Sequence, residues 1–134
     1  MARRLIIDTG VLIASERART GLAAVITEDD DLVVAAVTVA ELRAGIELAT
    51  ERHRAPRREF LVTVLETLPV EPYDLATAKA HGRLLAHVHR SGTKRGAHDL
   101  IVAATAVVTN RTVLTTDRSA RFDDLPGVDC IVVS

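Results

Sequence analysis

The chain has 134 residues, a net charge of −1, and 48% hydrophobic but only 2% aromatic residues. That length predicts one domain, residues 1–134, with a core of Leu, Val, Ile and Ala. The composition argues against a disulfide scaffold, since Cys130 is alone, and against an aromatic platform for stacking bases, since there are two Phe, one Tyr and no Trp. No run approaches the ~20 apolar residues of a membrane span. Asp8 interrupts the apolar start too early for a signal peptide. The expectation is a soluble, cytoplasmic protein with no membrane partner.

Leu5–Ile7 is apolar without alternation and reads as a strand buried on both faces. Thr9–Ser15 reads as a short helix, and Thr20 can cap a second helix through about Thr27. Glu28–Asp31 reads as a solvated acidic turn. Leu32–Val37 is a second buried strand. Thr38 to about Arg52 is helical, with Val39, Leu42, Ile46 and Ala49 at helical spacing. Pro56 is expected to open the next helix at its first position, through Phe60, Val64 and Leu68. Leu68–Pro72 is too rich in proline for a central strand and fits an edge.

Asp74 starts a long helix ended by Gly92. Ala97 to about Thr109 is a helix apolar nearly all round, hence buried. Val113–Thr116 is a third parallel-type strand, Arg118–Phe122 a helical turn, and Cys130–Val133 the last strand, with Cys130 a small hydrophobe. Strands alternating with helices predict a three-layer α/β/α sandwich around a largely parallel sheet.

Four carboxylates stand at telling places, and each has a structural reading. Asp8 follows a strand and can cap a helix. Thr38-Val39-Ala40-Glu41 matches a capping box. Asp99 lies in a first helical turn, where the macrodipole favours an anion. Asp117 precedes a helical turn it can cap. Together they weigh differently. Asp8 and Asp117 end strands on the same edge of a parallel sheet, Glu41 opens the helix after another strand, and Asp99 opens a helix packed on that sheet. Ligands bind in the crevice outside the carboxyl ends of such strands. Two carboxylates about 4 Å apart repel by ~4 kcal/mol at an effective dielectric of 20. A hard divalent cation, Mg²⁺ or Mn²⁺, removes that repulsion, and such a site suits phosphodiester hydrolysis.

Other chemistries fit less well. The five histidines show no paired zinc spacing, and there is neither a Walker-type phosphate loop nor a Gly-x-Ser-x-Gly elbow. His98 neighbours Asp99 but points about 100° away on a helix, which favours a packing or orienting role over that of general base. A haloacid-dehalogenase-type phosphatase wants a second Asp two residues after the first, where Gly10 stands. A response-regulator-like domain wants paired acids near strand one and a Lys after a late strand, and both are missing.

With these residues assembled, the sequence resembles the PIN-domain ribonucleases, most closely the VapC-type toxins of bacterial toxin–antitoxin pairs. The resemblance rests on Ile7-Asp8-Thr9 with Val11-Leu12-Ile13, on Thr38-Val39-Ala40-Glu41-Leu42 with Gly45, on His98 to Ala104, and on Leu114-Thr115-Thr116-Asp117 with Phe122. It implies that Asp8, Glu41, Asp99 and Asp117 are the acidic quartet that holds Mg²⁺ or Mn²⁺, with Asp8 and Asp99 most often in direct contact. It implies that Thr115 shapes the site and that Thr9 lies close to the metal. The implied activity is endonucleolytic cleavage of single-stranded RNA, such as tRNA or rRNA loops, by metal-activated water, leaving a 5′-phosphate and a 3′-hydroxyl. Implied partners are a second copy in a homodimer and a cognate antitoxin whose C-terminal segment enters the active-site groove. The aromatic often found midway along the long helix is replaced here by His81-Gly82-Arg83-Leu84. The alternative within the family is a non-catalytic PIN module that binds RNA or protein.

Of the 17 basic residues, 15 are Arg. Arg52, Arg54, Arg57 and Arg58 crowd a helix start, against the macrodipole, which leaves them without a local stability argument; a solvated face is the simpler reading than RNA contact. Lys94, Arg95 and Arg118 flank the acids and are the candidates for holding an RNA backbone. Recognition is expected to lean on charge and RNA shape.

Overall fold

The structure is a computed structural model that describes residues 2–18 and 26–133. Five parallel strands form one sheet: β1 (Arg4–Ile7), β2 (Asp31–Ala35), β3 (Val70–Glu71), β4 (Thr112–Thr115) and β5 (Cys130–Val132), in the order β3-β2-β1-β4-β5. The helices are α1 (Thr9–Ala18), α2 (Ala36–Leu48), α3 (Glu51–Thr67), α4 (Leu75–Ser91) and α5 (Ala97–Thr109), with two 3₁₀ turns at Arg118–Ala120 and Phe122–Asp124. The α/β/α architecture read from the alternation of elements is the one observed. The helix start expected at Thr20 lies outside the described residues.

β1 is central because it is apolar at every inward position. Leu5 and Ile7 face one layer with Val34, Leu114, Val11, Leu12, Val64 and Leu68, and Ile6 faces the other with Val33, Leu84, Leu100 and Phe122. A strand covered on both sides needs no polar alternation. β3 sits at the edge, where Pro69 does no harm to the ladder; Val34 N–H donates to its carbonyl at 3.0 Å. The chain winds outward from β1 through β2 to β3, then returns to β4 on the other side of β1. The topological switch point therefore lies between β1 and β4, and a crevice opens outside their carboxyl ends.

Several boundaries differ from the sequence reading. β2 ends at Ala35 and α2 begins at Ala36, so Val37 is helical and Thr38 stands inside the first turn. The run Val33–Val37 is apolar throughout, and nothing in it marks where extension stops. Ala35 is the N-cap, without a side-chain hydrogen bond, so Thr38 and Glu41 do not form a capping box. α2 and α3 are separated only by Ala49 and Thr50, and Pro56 lies inside α3 rather than opening it. One lost hydrogen bond at Pro56 is outweighed by a helical start over Glu51–Ala55 and by the packing of α3 on α2. Two of the arginines of that start have a local role after all. Arg54 donates to Ala49 O and Arg57 to Gly45 O, each at 3.0 Å, which satisfies carbonyls at the C-terminal end of α2.

α1 runs on to Ala18 rather than ending at Ser15, and Asp31 opens β2 rather than closing the acidic turn, while the caps expected for α4 are observed. Asp74 caps α4, accepting from Thr77 N at 3.0 Å, and Gly92 ends it with a left-handed φ of 70°. The acidic turn is tied down rather than functional: Asp30 pairs with Arg3 at 2.6 Å, and Asp31 with Arg111 at 3.1 Å. Cys130 is half-buried against the core, and burial pushes its thiol up. Among the described residues no helix is long and apolar enough to cross a membrane.

Candidate metal centre

Asp8 leaves β1 at the switch point. It is buried, Thr9 N donates to its Oδ1 at 2.9 Å, and the Thr115 hydroxyl at the end of β4 donates to its Oδ2 at 2.8 Å. Burial is the main influence and raises its pKa; the two hydrogen bonds pull the other way, and the charges of Glu41 and Asp117 raise it further. Thr115 Oγ1 also accepts from Asp117 N at 3.0 Å. One hydroxyl thus joins the two strand-end acids. Asp117 is itself held by Ser119, which donates its backbone N–H at 2.9 Å and its hydroxyl at 2.5 Å to Oδ1. The cap reading of Asp117 is met by one carboxylate oxygen, and Oδ2 is left over.

Glu41 reaches the crevice from α2. Thr9 Oγ1 donates to its Oε1 at 2.8 Å, and His98 Nδ1 lies 3.2 Å from its Oε2. His98 therefore orients Glu41. Asp99, in the first turn of α5, accepts no hydrogen bond among the described residues, and the helix is capped by Gly96 without a side-chain bond. Its pKa is raised to about 6, first by burial and then by Asp8, Asp117 and Glu41. Two glycines make room for this arrangement. A Cβ on Gly96 would stand 2.7 Å from Asp99 Oδ2, and one on Gly10 would stand 2.8 Å from Thr116 Oγ1.

Asp8 and Asp99 thus each feel the charges of Glu41 and Asp117, and no Lys or Arg pairs with any of the four among the described residues. Among the described residues no group of three or more His, Cys, Asp or Glu side chains is arranged to hold a metal ion by itself. The donor set is hard oxygen in an open crevice, which fits a cation that binds through one or two carboxylates and keeps several waters, as Mg²⁺ does, better than a four-ligand zinc site. Asp99 accepts no hydrogen bond among the described residues, and Asp8 is the carboxylate whose charge raises it most, so these are the two that would hold a cation.

The residues suggested for RNA divide. Lys94 and Arg118 are exposed. Arg95 is not offered to solvent: its side chain is 7% exposed, and Nη1 donates to Ala120 O at 2.8 Å and Arg121 O at 2.5 Å. The roles of Ser119, Gly96 and Gly10 were not read from the sequence. Asp117-Arg118-Ser119 does carry a turn signal, in which an Asp accepts from the backbone two residues on. The two glycines carry no local signal.

Thr115→Val tests the link between Asp8 and Asp117. It keeps the shape but leaves a buried carboxylate without its donor and Asp117 N without its acceptor. The expected loss is about 1–3 kcal/mol in urea unfolding, and an unchanged midpoint would refute the link.

A parallel sheet whose switch point gathers acids from two strand ends, from the first turn of α5 and from α2, where Glu41 stands in the second turn rather than opening the helix as expected, is the pattern of the PIN-domain class. Residues 5–128 match the PIN domain, and this chain belongs to that family. Its relatives are VapC proteins. It is 37% identical over 132 residues to Ribonuclease VapC5 of Mycobacterium tuberculosis, covering 96% of this chain and 94% of that one. Among solved structures it matches the VapBC-5 toxin–antitoxin complex of Mycobacterium tuberculosis at 32% identity and a TM-score of 0.80, over 97% of this chain and 98% of that one. VapBC2 of Rickettsia felis, solved on a promoter DNA fragment, shares the fold at a TM-score of 0.87 and 16% identity, over 98% and 99% of the two chains.

Proposed function

We propose that this chain is the toxin of a type II toxin–antitoxin pair, working in the cytoplasm as a Mg²⁺- or Mn²⁺-dependent endoribonuclease on single-stranded regions of RNA such as tRNA or rRNA loops. The observation that carries the reading is the coupling of the acids: the charges of Asp8, Asp117 and Glu41 all raise Asp99, which accepts no hydrogen bond and pairs with no Lys or Arg among the described residues. The names of the VapC relatives support the ribonuclease class. Asp8 and Asp99 would hold the cation. Thr115 fixes Asp8, Thr9 and His98 fix Glu41, and Ser119 fixes Asp117, so three of the four carboxylates are oriented before substrate arrives. The bound cation would supply a Lewis acid for the phosphodiester and lower the pKa of water enough to make it a nucleophile at neutral pH. Hydrolysis then breaks the bond from phosphorus to the 3′ oxygen.

The partners in this reading are a second copy and a cognate antitoxin. A groove beside Glu41, lined by Ile13, Leu42, Gly45, Pro56 and Phe60, offers the antitoxin's C-terminal segment a path to the acids. The solved VapBC-5 structure of Mycobacterium tuberculosis, from a toxin–antitoxin system, supports such a partner.

The test is to incubate antitoxin-free protein with total cellular RNA, with and without Mg²⁺ or Mn²⁺. Discrete metal-dependent fragments ending in 5′-phosphates are expected. No cutting by folded protein that binds the metal would replace the reading by that of a PIN module that binds RNA or protein without cleaving.

A further inference from the structure

α4 carries Lys79, Arg83 and Arg90, with three histidines and no carboxylate in its 17 residues. The chain has 18 acidic residues against 17 basic ones, so uncompensated charge along a whole helix is not a matter of composition. None of the three cations makes an ion pair or hydrogen bond among the described residues. Their spacing puts them within about 40° of one another around the helix, along one stripe. With Gly82, Ala86 and Pro126 they line an open depression on the surface.

Local explanations cover only one end of the stripe. Arg90 complements the macrodipole in the last turn. Lys79 lies near the N-terminal end, where a cation is disfavoured, and Arg83 lies midway, where the dipole has little effect. Gly82 is the second anomaly. Glycine inside a helix is destabilising relative to alanine, yet a Cβ there would meet nothing within 4 Å. Among the described residues no contact requires the missing side chain, whereas close approach of a ligand to the helix backbone would.

The stripe also leads to the acids. α4 and α5 pack as a hairpin joined by residues 92–96, so the Arg90 end of α4 lies beside the α5 terminus that carries Asp99. Exposed Lys94 stands in the connection. A protein partner would want an apolar or aromatic anchor, and this floor offers only Ala86 and Pro126.

We propose that Lys79, Arg83 and Arg90 bind the phosphate backbone of RNA beyond the cleaved linkage, with Gly82 as the point of closest approach. This rests on the nuclease reading above and names a further contact surface for its substrate. The test uses the full chain carrying Asp99→Asn, titrated with poly(U) and with unfractionated tRNA over a series of KCl concentrations. One variant adds Lys79→Gln, Arg83→Gln and Arg90→Gln; another adds Gly82→Gln.

The triple neutralisation is expected to lower the log–log salt slope by about 2, at about 0.7 per single-strand phosphate contact, and to weaken binding at low salt by about tenfold or more. Gly82→Gln is expected to raise Tm by about 2–5 °C while weakening binding. A merely solvated helix face would give the same rise in Tm with unchanged binding, and that result overturns the proposal. So does an unaltered salt slope in the triple variant, which leaves the nuclease reading standing when the parent binds RNA. A parent that binds neither RNA at low salt removes both. Binding of polyglutamate as tight as that of RNA would overturn the assignment to RNA.

Discussion

Asp99→Asn is expected to stabilise the metal-free protein at neutral pH and at the same time to abolish cleavage. The two effects have one cause. Partial burial, and then the charges of three other carboxylates, push the Asp99 carboxyl up to about 6, from an ordinary value of 3.8. The folded state therefore binds this proton more readily than the unfolded state does. By linkage, stability is highest at the acidic side of the interval, falls as pH rises from about 4 through 6, and stays reduced above it. About two pKa units correspond to about 3 kcal/mol. Partial exposure of the carboxyl screens this to on the order of 1–2 kcal/mol. Asp8, also raised, acts in the same direction.

In EDTA, the wild type should therefore resist urea better at pH 5.5 than at pH 7.5, and Asp99→Asn should lose much of that difference. Adding Mg²⁺ or Mn²⁺ at pH 7.5 should reverse the order. A ligand of the folded state at 100 times its Kd stabilises by ~2.7 kcal/mol, and the variant should gain little. Cleavage should fall on the order of 10³-fold or more. A wild type with no pH dependence in EDTA and no response to either metal would remove the shared acidic site.

Arg95→Ala is expected to destabilise the fold by about 2–4 kcal/mol and to leave the salt dependence of RNA binding unchanged. The guanidinium is buried between the start of α5 and the two 3₁₀ turns, where it donates to the carbonyls of Ala120 and Arg121 and lies 4.0 Å from Asp124. Hydrogen bonds from a charged group are worth about 1.5–3 kcal/mol each. Arg121 has a left-handed φ of 49°, a conformation that a non-glycine residue keeps only when neighbours hold it. Arg95 thus fastens the turn that follows Asp117 to the helix that carries Asp99, and its loss should loosen both acids. Lysine cannot reproduce the fork and should rescue little. Lys94→Ala and Arg118→Ala should behave oppositely, each lowering the salt slope by about 0.7 with little change in stability. Unfolding midpoints and salt titrations on the same variants separate the two roles. A stable Arg95→Ala protein with a reduced slope would return Arg95 to the RNA contacts.

Much of the fold was legible in the sequence because its signals are local. Leu5–Ile7 and Val113–Thr115 announce buried parallel strands by apolar runs too short for helices. Asp74 and Gly92 bracket α4, and the nearly all-apolar Ala97–Thr109 announces a buried helix. Where the local signal is flat, the reading slipped. Val33–Val37 is apolar in both the strand and the helix that follows, and Pro56 looked like a helix opener because its tolerance inside α3 depends on packing against α2.

The site divides in the same way. Sequence by itself determined which groups carry charge and on which edge of a parallel sheet Asp8 and Asp117 must fall, since side chains that follow parallel strands share that edge. It also showed that the candidate donors are all oxygen. Only the tertiary structure decided the partners. Thr115 bonds across 107 positions to Asp8, Thr9 across 32 to Glu41, and Arg95 across 25 to the turn after Asp117. Side chains with several possible donors or acceptors choose among them by distance in space, and that distance exists only once β1, β4, α2 and α5 have packed around the switch point.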